Sequence, residues 1–388
     1  MKSVYLASKP RYEILDGLRG VAAFIVLAYH LLEVSSRGTL LTDYIGHGHL
    51  AVDFFFILSG FVIGYAYDDR WDRMTLWDFC KRRLIRLHPM IIFSTIVGLV
   101  FFYYGAGPMF RLIEHADVGL VMLCVLFSLL MIPTPVSMDI RGWNEINPLN
   151  GNAWSLYFEY FANLLYALMI RHFPKWLLAF FVALCAILTL DLTLNLDLFG
   201  LLSQRTNNVY TVVGGWALTP EQSYIGFTRL LYPFFAGLLM AKIFAGKKIR
   251  FNAGFWWTSL ALAVVLIMPR LSSWWYGIGN GFYEAVSILL FFPIIVAMGA
   301  GSHVSGRSAK ICKFFGDISY PLYIVHYPIV FTLLGGWHST HRDAPVGQVI
   351  VLDIGAAVLS IFIAWAALKL YDEPVREWLK GKLFKKAK

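Results

Sequence analysis

Apolar residues in this chain run in long unbroken stretches and do not alternate with polar ones. Eleven such stretches lie near residues 14–34, 50–67, 89–105, 118–134, 153–171, 175–191, 226–244, 255–269, 281–300, 318–335 and 346–371. Runs of about 18 or more apolar residues mark helices that cross a bilayer. Barrel strands would instead alternate apolar and polar positions. The pattern therefore predicts an all-α, polytopic membrane helix bundle.

The charged residues between the stretches set its topology, because Lys and Arg concentrate in cytoplasmic loops. Arg70, Arg73, Lys81, Arg82, Arg83 and Arg86 follow the second stretch. Arg171 to Lys175, Lys242 to Arg250, Arg307 to Lys313 and the end from Lys369 to Lys388 are also basic. In the other loops Arg37, Arg205, Arg270 and Arg342 stand nearly alone. Eleven crossings do not reconcile these assignments, since the loop at 135–152 lands inside when counted from one terminus and outside when counted from the other. The loops flanking 118–134 are both poor in basic residues, with Arg111 and Arg141. The simplest solution is about ten transmembrane helices, with 118–134 partly inserted and both termini cytoplasmic. We expect one transmembrane domain over 1–388, with a basic cytoplasmic tail at 372–388, in the inner membrane of a bacterium.

Composition supports this. The chain of 388 residues is 58% hydrophobic and 15% charged, against about 25% charged in soluble domains. Its net charge of +9 is accounted for by the cytoplasmic loops, and no basic soluble segment suggests nucleic-acid binding. The four cysteines show neither metal spacing nor a disulfide framework. The first stretch lacks a small-residue cleavage site, so it is expected to be a retained span and not a signal peptide.

Several polar residues interrupt the spans. Ionisable groups inside a membrane are costly and generally face a cavity or a partner. Arg19 and His30 are eleven residues apart, which puts them on nearly the same side of a helix, about 16 Å apart along its axis. Asp16 and Glu33 lie near the two ends of that helix. Asp53 begins the next span, where Ser59 and Gly60 allow close helix approach. Lys81, Arg83 and Arg86 precede Pro89; the pair Arg83 and Arg86 shares a face and suits a phosphate-rich ligand or anionic lipid headgroups. Asn152 reads as an N-cap for the fifth span, where Ser155 and Glu159 share a face. Asp317 or Ser319 can cap a helix with Pro321 in its first turn, and His326 beyond reads either as a cavity-lining group or as a packing residue. Pro374 reads as the end of the last helix.

These motifs occur in a fixed order: Arg-x10-His, Phe-Phe-x-Leu-Ser-Gly-Phe, Arg-x-x-Arg before a proline, Trp-Ser-Leu-x-x-Glu, and Ser-Tyr-x-x-Tyr-x-x-His. Together they resemble the acyltransferase-3 family of integral membrane acyltransferases over Asp16 to about Arg376. The resemblance implies transfer of an acyl group, usually acetyl, from cytoplasmic acyl-CoA to a hydroxyl of an extracytoplasmic glycan or glycoconjugate, without a metal. It implies His30 as general base with Arg19 paired to it, Arg83 and Arg86 (with Lys81 beside them) at the donor, and Ser155 and Glu159 in the third motif. Asp53 or Glu159 is expected to stabilise the His30 imidazolium, and Ser155 is the hydroxyl available for an acyl-enzyme. The chain is expected to be a stand-alone member, without a periplasmic hydrolase-like domain. From a different class, a proton-coupled transporter or flippase would use Arg19, His30 and Glu159 as a relay, and would be expected to show inverted repeats with broken helices, which the sequence lacks.

Overall fold

The computed structural model describes residues 9, 11–36, 44–203, 205–206, 208–247, 253–271 and 277–384, and all regular elements among them are helical. Two ends define the bundle. At one end the basic segments are joined to one another. Lys9 pairs with Asp69 at 2.8 Å and Arg11 with Asp317 at 3.3 Å. Lys242 lies 3.9 Å from Asp68 and donates to the carbonyl of Arg171 at 3.2 Å. The Arg82 guanidinium lies 4.3 Å from the centre of the Phe384 ring. The loops assigned to one side by charge are thus in mutual contact.

From this basic end, α1 (Glu13–Ser36) rises and α2 (Ala51–Tyr67) returns. α3 (Leu76–Phe101) rises, started by a capping box in which the Thr75 side chain accepts from Asp78 N–H. α4 (Val118–Leu130) enters from the far end, capped by Asp117. Its flanking loops touch: Trp143 Nε1 donates to the Met109 carbonyl at 3.1 Å, and the Arg141 guanidinium lies 3.8 Å from the centre of the Phe110 ring. The chain after α4 turns back along it, with Cys124 Sγ 3.7 Å from the Met138 carbonyl. Together they form a re-entrant hairpin.

α5 (Trp154–Leu168) starts halfway down the bundle because the loop before it descends into the interior; it leads to the basic end. α6 (Lys175–Leu194) rises, α7 (Pro220–Phe244) descends, α8 (Gly254–Ile267) rises. α9 (Ile278–Val286) and α10 (Phe292–Ala300) descend as one span through a π-helical turn at Ser287–Phe291. α11 (Gly306–Tyr327) and α12 (Gly335–Thr340) rise together through another at Pro328–Leu334. α13 (Val346–Ala367) descends through a third, Leu368–Asp372, into α14 (Glu373–Leu383). The described residues therefore make ten passes plus one re-entrant segment, and eight of the helical units are long and apolar enough to cross a membrane.

Two local expectations are corrected. Pro321 and Asp317 lie well inside α11, which begins at Gly306; Asp317 is paired with Arg11 and Lys313 instead of capping. Pro374 does not end the last helix. The chain stays helical through it, by way of the π turn Leu368–Asp372 that leads from α13 into α14.

Glycines set the closest packing. A Cβ at Gly20 would strike the Phe315 backbone, and one at Gly316 would strike Asp16, so α1 and α11 meet backbone to backbone. Gly60 and Gly237 do the same for α2 against Phe234 and α7 against Ile57. Helices that share a bilayer associate through such close dispersion contacts. We expect Gly20→Leu or Gly316→Leu to wedge α1 from α11, costing about 1–3 kcal/mol of stability and lowering the thermal midpoint of the detergent-solubilised protein, whereas Gly347→Leu, which faces open space, leaves it unchanged.

Candidate functional site

Because α1 and α11 run parallel and touch at Gly20 and Gly316, residues ten positions further along each come level. Those residues are His30 and His326. His30 Nδ1 lies 2.9 Å from His326 Nε2. His326 Nδ1 lies 2.8 Å from the Leu322 carbonyl, which can only accept, so Nδ1 carries the proton and Nε2 a lone pair. Asn152 Nδ2 donates to the Tyr323 carbonyl at 3.2 Å and lies 3.1 Å from that Nε2, whose one lone pair it shares with the closer His30. His30 Nδ1 must therefore donate, and the basic lone pair of His30 is left on its Nε2.

His30 lines a cavity with Glu33, Glu145, Asn152, Trp154 and Tyr323 among its walls. Towards the basic end lies a second cavity, walled by Arg19, Arg83, Arg86, Ser59, Ser155 and Glu159. Val52 and Tyr323 belong to both walls, so the two spaces meet at these side chains. In the second cavity Glu159 Oε1 accepts from Arg83 and from Ser59, each at 2.7 Å. Arg19 pairs with Asp16 at 3.0 Å. Arg19 and Arg83 each have a carboxylate partner and Arg86 has none in this group, so the space keeps an excess of positive charge and several guanidinium donors for an anionic ligand. Ser155 Oγ and the Tyr323 hydroxyl are bonded at 2.8 Å, and both also point at the Asn152 carbonyl.

The model of the acyltransferase domain family Acyl_transf_3 matches residues 12–369. The chain belongs to this acyltransferase family. Protein 2 in the picA locus of Rhizobium radiobacter is 32% identical over 165 residues, covering 40% of this chain and 81% of that protein. O-acetyltransferase OatA of Staphylococcus aureus is 26% identical over 95% of the chain, and peptidoglycan O-acetyltransferase OatA of Listeria monocytogenes is 24% identical over 97%. The chain spans 58% of the length of each OatA protein. No solved structure matches it.

Within this multi-pass membrane acyltransferase, the residues singled out by sequence separate into groups. His30 stands in one cavity; Arg19, Arg83, Arg86, Ser155 and Glu159 stand in the other. Lys81 lies outside both, 3.8 Å from Asp78 and over the rings of Trp77 and Phe384. Asp53 is fully buried against Arg229, at 2.7 Å, and Arg229 also donates to the carbonyls of His49 and Gly214. Neither Asp53 nor Glu159 is bonded to the His30 ring; the group that is bonded is His326. Asn152 does not cap α5, whose N-cap position is Ala153, and its amide is spent on α11 instead.

The loop before α5 carries functional residues that no sequence motif marks. Arg141, Glu145, Asn147, Asn150 and Asn152 are all buried, in a loop that runs down α11. Arg141 Nη1 lies 2.9 Å from Glu145 Oε2, Glu145 accepts from the Tyr327 hydroxyl, and Asn150 donates to the Ile324 carbonyl at 2.7 Å. Loops are ordinarily exposed because buried backbone needs partners, and five closely spaced polar residues between apolar stretches were the available signal. Breaking a buried ion pair from one side leaves an uncompensated charge, at about 3–5 kcal/mol. Glu145→Ala is accordingly expected to lower thermal stability far more than the paired replacement Arg141→Met/Glu145→Leu, a contrast that melting curves in detergent would resolve.

Proposed function

We propose that this protein transfers an acetyl group from cytoplasmic acetyl-CoA to a hydroxyl of an extracytoplasmic glycan, with His30 as general base. The observation that carries this reading is the His30–His326 hydrogen bond, which leaves the Nε2 lone pair of His30 available in a cavity that meets the cationic one. The CoA phosphates and their adjoining charges bind Arg19, Arg83 and Arg86, and Glu159 holds Arg83 in place. The pantetheine arm passes between Val52 and Tyr323 and brings the thioester to His30. The acceptor O–H gives its proton to His30 Nε2 while its oxygen attacks the thioester carbonyl. The tetrahedral intermediate expels the CoA thiolate, which takes the proton back from His30. Throughout, His30 Nδ1–H stays bonded to His326, which keeps the ring from turning.

Direct attack is favoured over an acyl-serine. Ser155 Oγ is bonded to the Tyr323 hydroxyl and the Asn152 carbonyl, neither of which is a base able to activate it. Membrane association and an acyl-donor plus glycan pair agree with the family and with the names of the O-acetyltransferase relatives. The bacterial inner membrane is the location at which a cytoplasmic donor and an outer glycan are both within reach.

The test is transfer of label from acetyl-CoA to envelope glycan in membrane vesicles. A general base contributes about 10²–10⁴ in rate, so His30→Ala should lose at least a hundredfold. His326→Gln, whose side-chain oxygen can still accept from His30 Nδ1–H, should keep much more activity than His326→Leu; equal loss in the two would remove the orienting role of His326. Arg83→Ala/Arg86→Ala should raise the KM for acetyl-CoA about tenfold or more. An unchanged KM would remove the donor assignment.

A further inference from the structure

We infer that the vestibule above His30 is a sugar-ring subsite, in which Trp143 and Trp216 hold a pyranose of the acceptor glycan. This rests on the acyl transfer proposed above and names how that site takes its acceptor. The vestibule, about 950 Å³ including its open mouth, is walled by Tyr29, Glu33, Trp143, Asn208, Trp216 and Arg270. Tyr29, Glu33, Trp143 and Trp216 also wall the His30 cavity. It is therefore the route from the end opposite the basic loops to the proposed base.

The Trp143 indole and the Trp216 backbone are both held before any ligand arrives. Trp143 is tied through Nε1 to the Met109 carbonyl, and its ring stands 4.8 Å from Phe110 and 6.0 Å from Phe331. The Trp216 carbonyl accepts from Ile146 N–H at 2.7 Å, beside an antiparallel bridge between Glu145 and Ala217. That bridge clasps the loop before α5 to the loop before α7, so the two rings sit on one braced frame. Tryptophans that merely anchor a protein in the interface face outwards, as Trp176 and Trp257 do at 71% and 70% exposure. Trp143, at 37% exposure, and the half-buried Trp216 instead turn towards the mouth of the His30 cavity.

The chemistry of the walls selects the occupant. A pyranose has apolar C–H faces and a rim of hydroxyls. Indole faces take the former, and the Glu33 carboxylate, Arg270 guanidinium and Asn208 amide take the latter. A lipid chain would lay apolar surface against the Glu33 carboxylate and give it nothing to bond. A polyphosphate would meet one guanidinium facing a carboxylate, whereas three guanidiniums await it in the other cavity.

The test uses membrane vesicles carrying their own envelope glycan and radiolabelled acetyl-CoA, with label in glycan and label retained by the purified protein as separate readouts. Trp143→Ala and Trp216→Ala should each slow glycan labelling about tenfold or more while retention of acetyl-CoA is unchanged. Trp→Phe at either position, which keeps a ring face, should recover most of the rate. Should the Ala variants fail to elute as monodisperse protein, Trp→Leu, which keeps bulk without a ring, replaces them in the comparison with Phe. Ala or Leu variants as fast as the parent, or Phe variants as slow as them, would overturn the subsite. A parent protein that retains acetyl-CoA yet labels no glycan would instead overturn the acyl-transfer reading.

Discussion

The arrangement of the proposed site depends on one contact, the backbone-to-backbone approach of α1 and α11. Side chains are absent at Gly20 and Gly316, so the two helices run parallel in close contact there. Equal offsets of ten residues then carry His30 and His326 to the same height. The close approach lets the two imidazoles meet directly, in a hydrogen bond of 2.9 Å. The close crossing thus acts on chemistry through geometry: it makes one histidine the acceptor for the other and so selects the tautomer.

The same economy governs the charges. Arginines that would be expensive singly in a bilayer are distributed between two kinds of environment. Arg229 and Arg141 are buried and neutralised, by Asp53 and Glu145, and they brace the walls around the His30 cavity. Arg19, Arg83 and Arg86 are gathered around a space with only partial compensation. An excess of positive charge in a walled space is poised for an anionic ligand, because low-dielectric walls screen it weakly. Val52 and Tyr323 separate this charge from the histidines, which suits chemistry in which a polyanionic carrier stays on one side and a small acyl group passes to the other.

The loop before α5 joins the two halves. It descends beside α11, satisfies its buried backbone and amides against that helix, and delivers Asn152 to His326 and Ser155 to Tyr323. Its outer part carries Trp143 and is clasped to Trp216. A single segment therefore supplies the orienting amide at the bottom of the cavity and an aromatic wall at its mouth, and the re-entrant α4 provides the support on which it turns.

Much of this was legible in the residues alone. Long apolar runs can bury their backbone polar groups in a bilayer only as helices, so composition determined the fold class, and loop charge determined both the common end of the basic segments and the failure of 118–134 to cross. These are properties of single segments and need no partner. Partnership was another matter. Arg19, His30 and Glu159 share stripes on their own helices, yet Glu159 meets Arg83, Asp53 meets Arg229, and His30 meets His326. Which costly groups neutralise or orient one another depends on helix spacing, relative height and a buried loop, all of them set by contacts between segments distant in the chain. Tertiary packing alone decided that a histidine, and not a carboxylate, stands behind the proposed base.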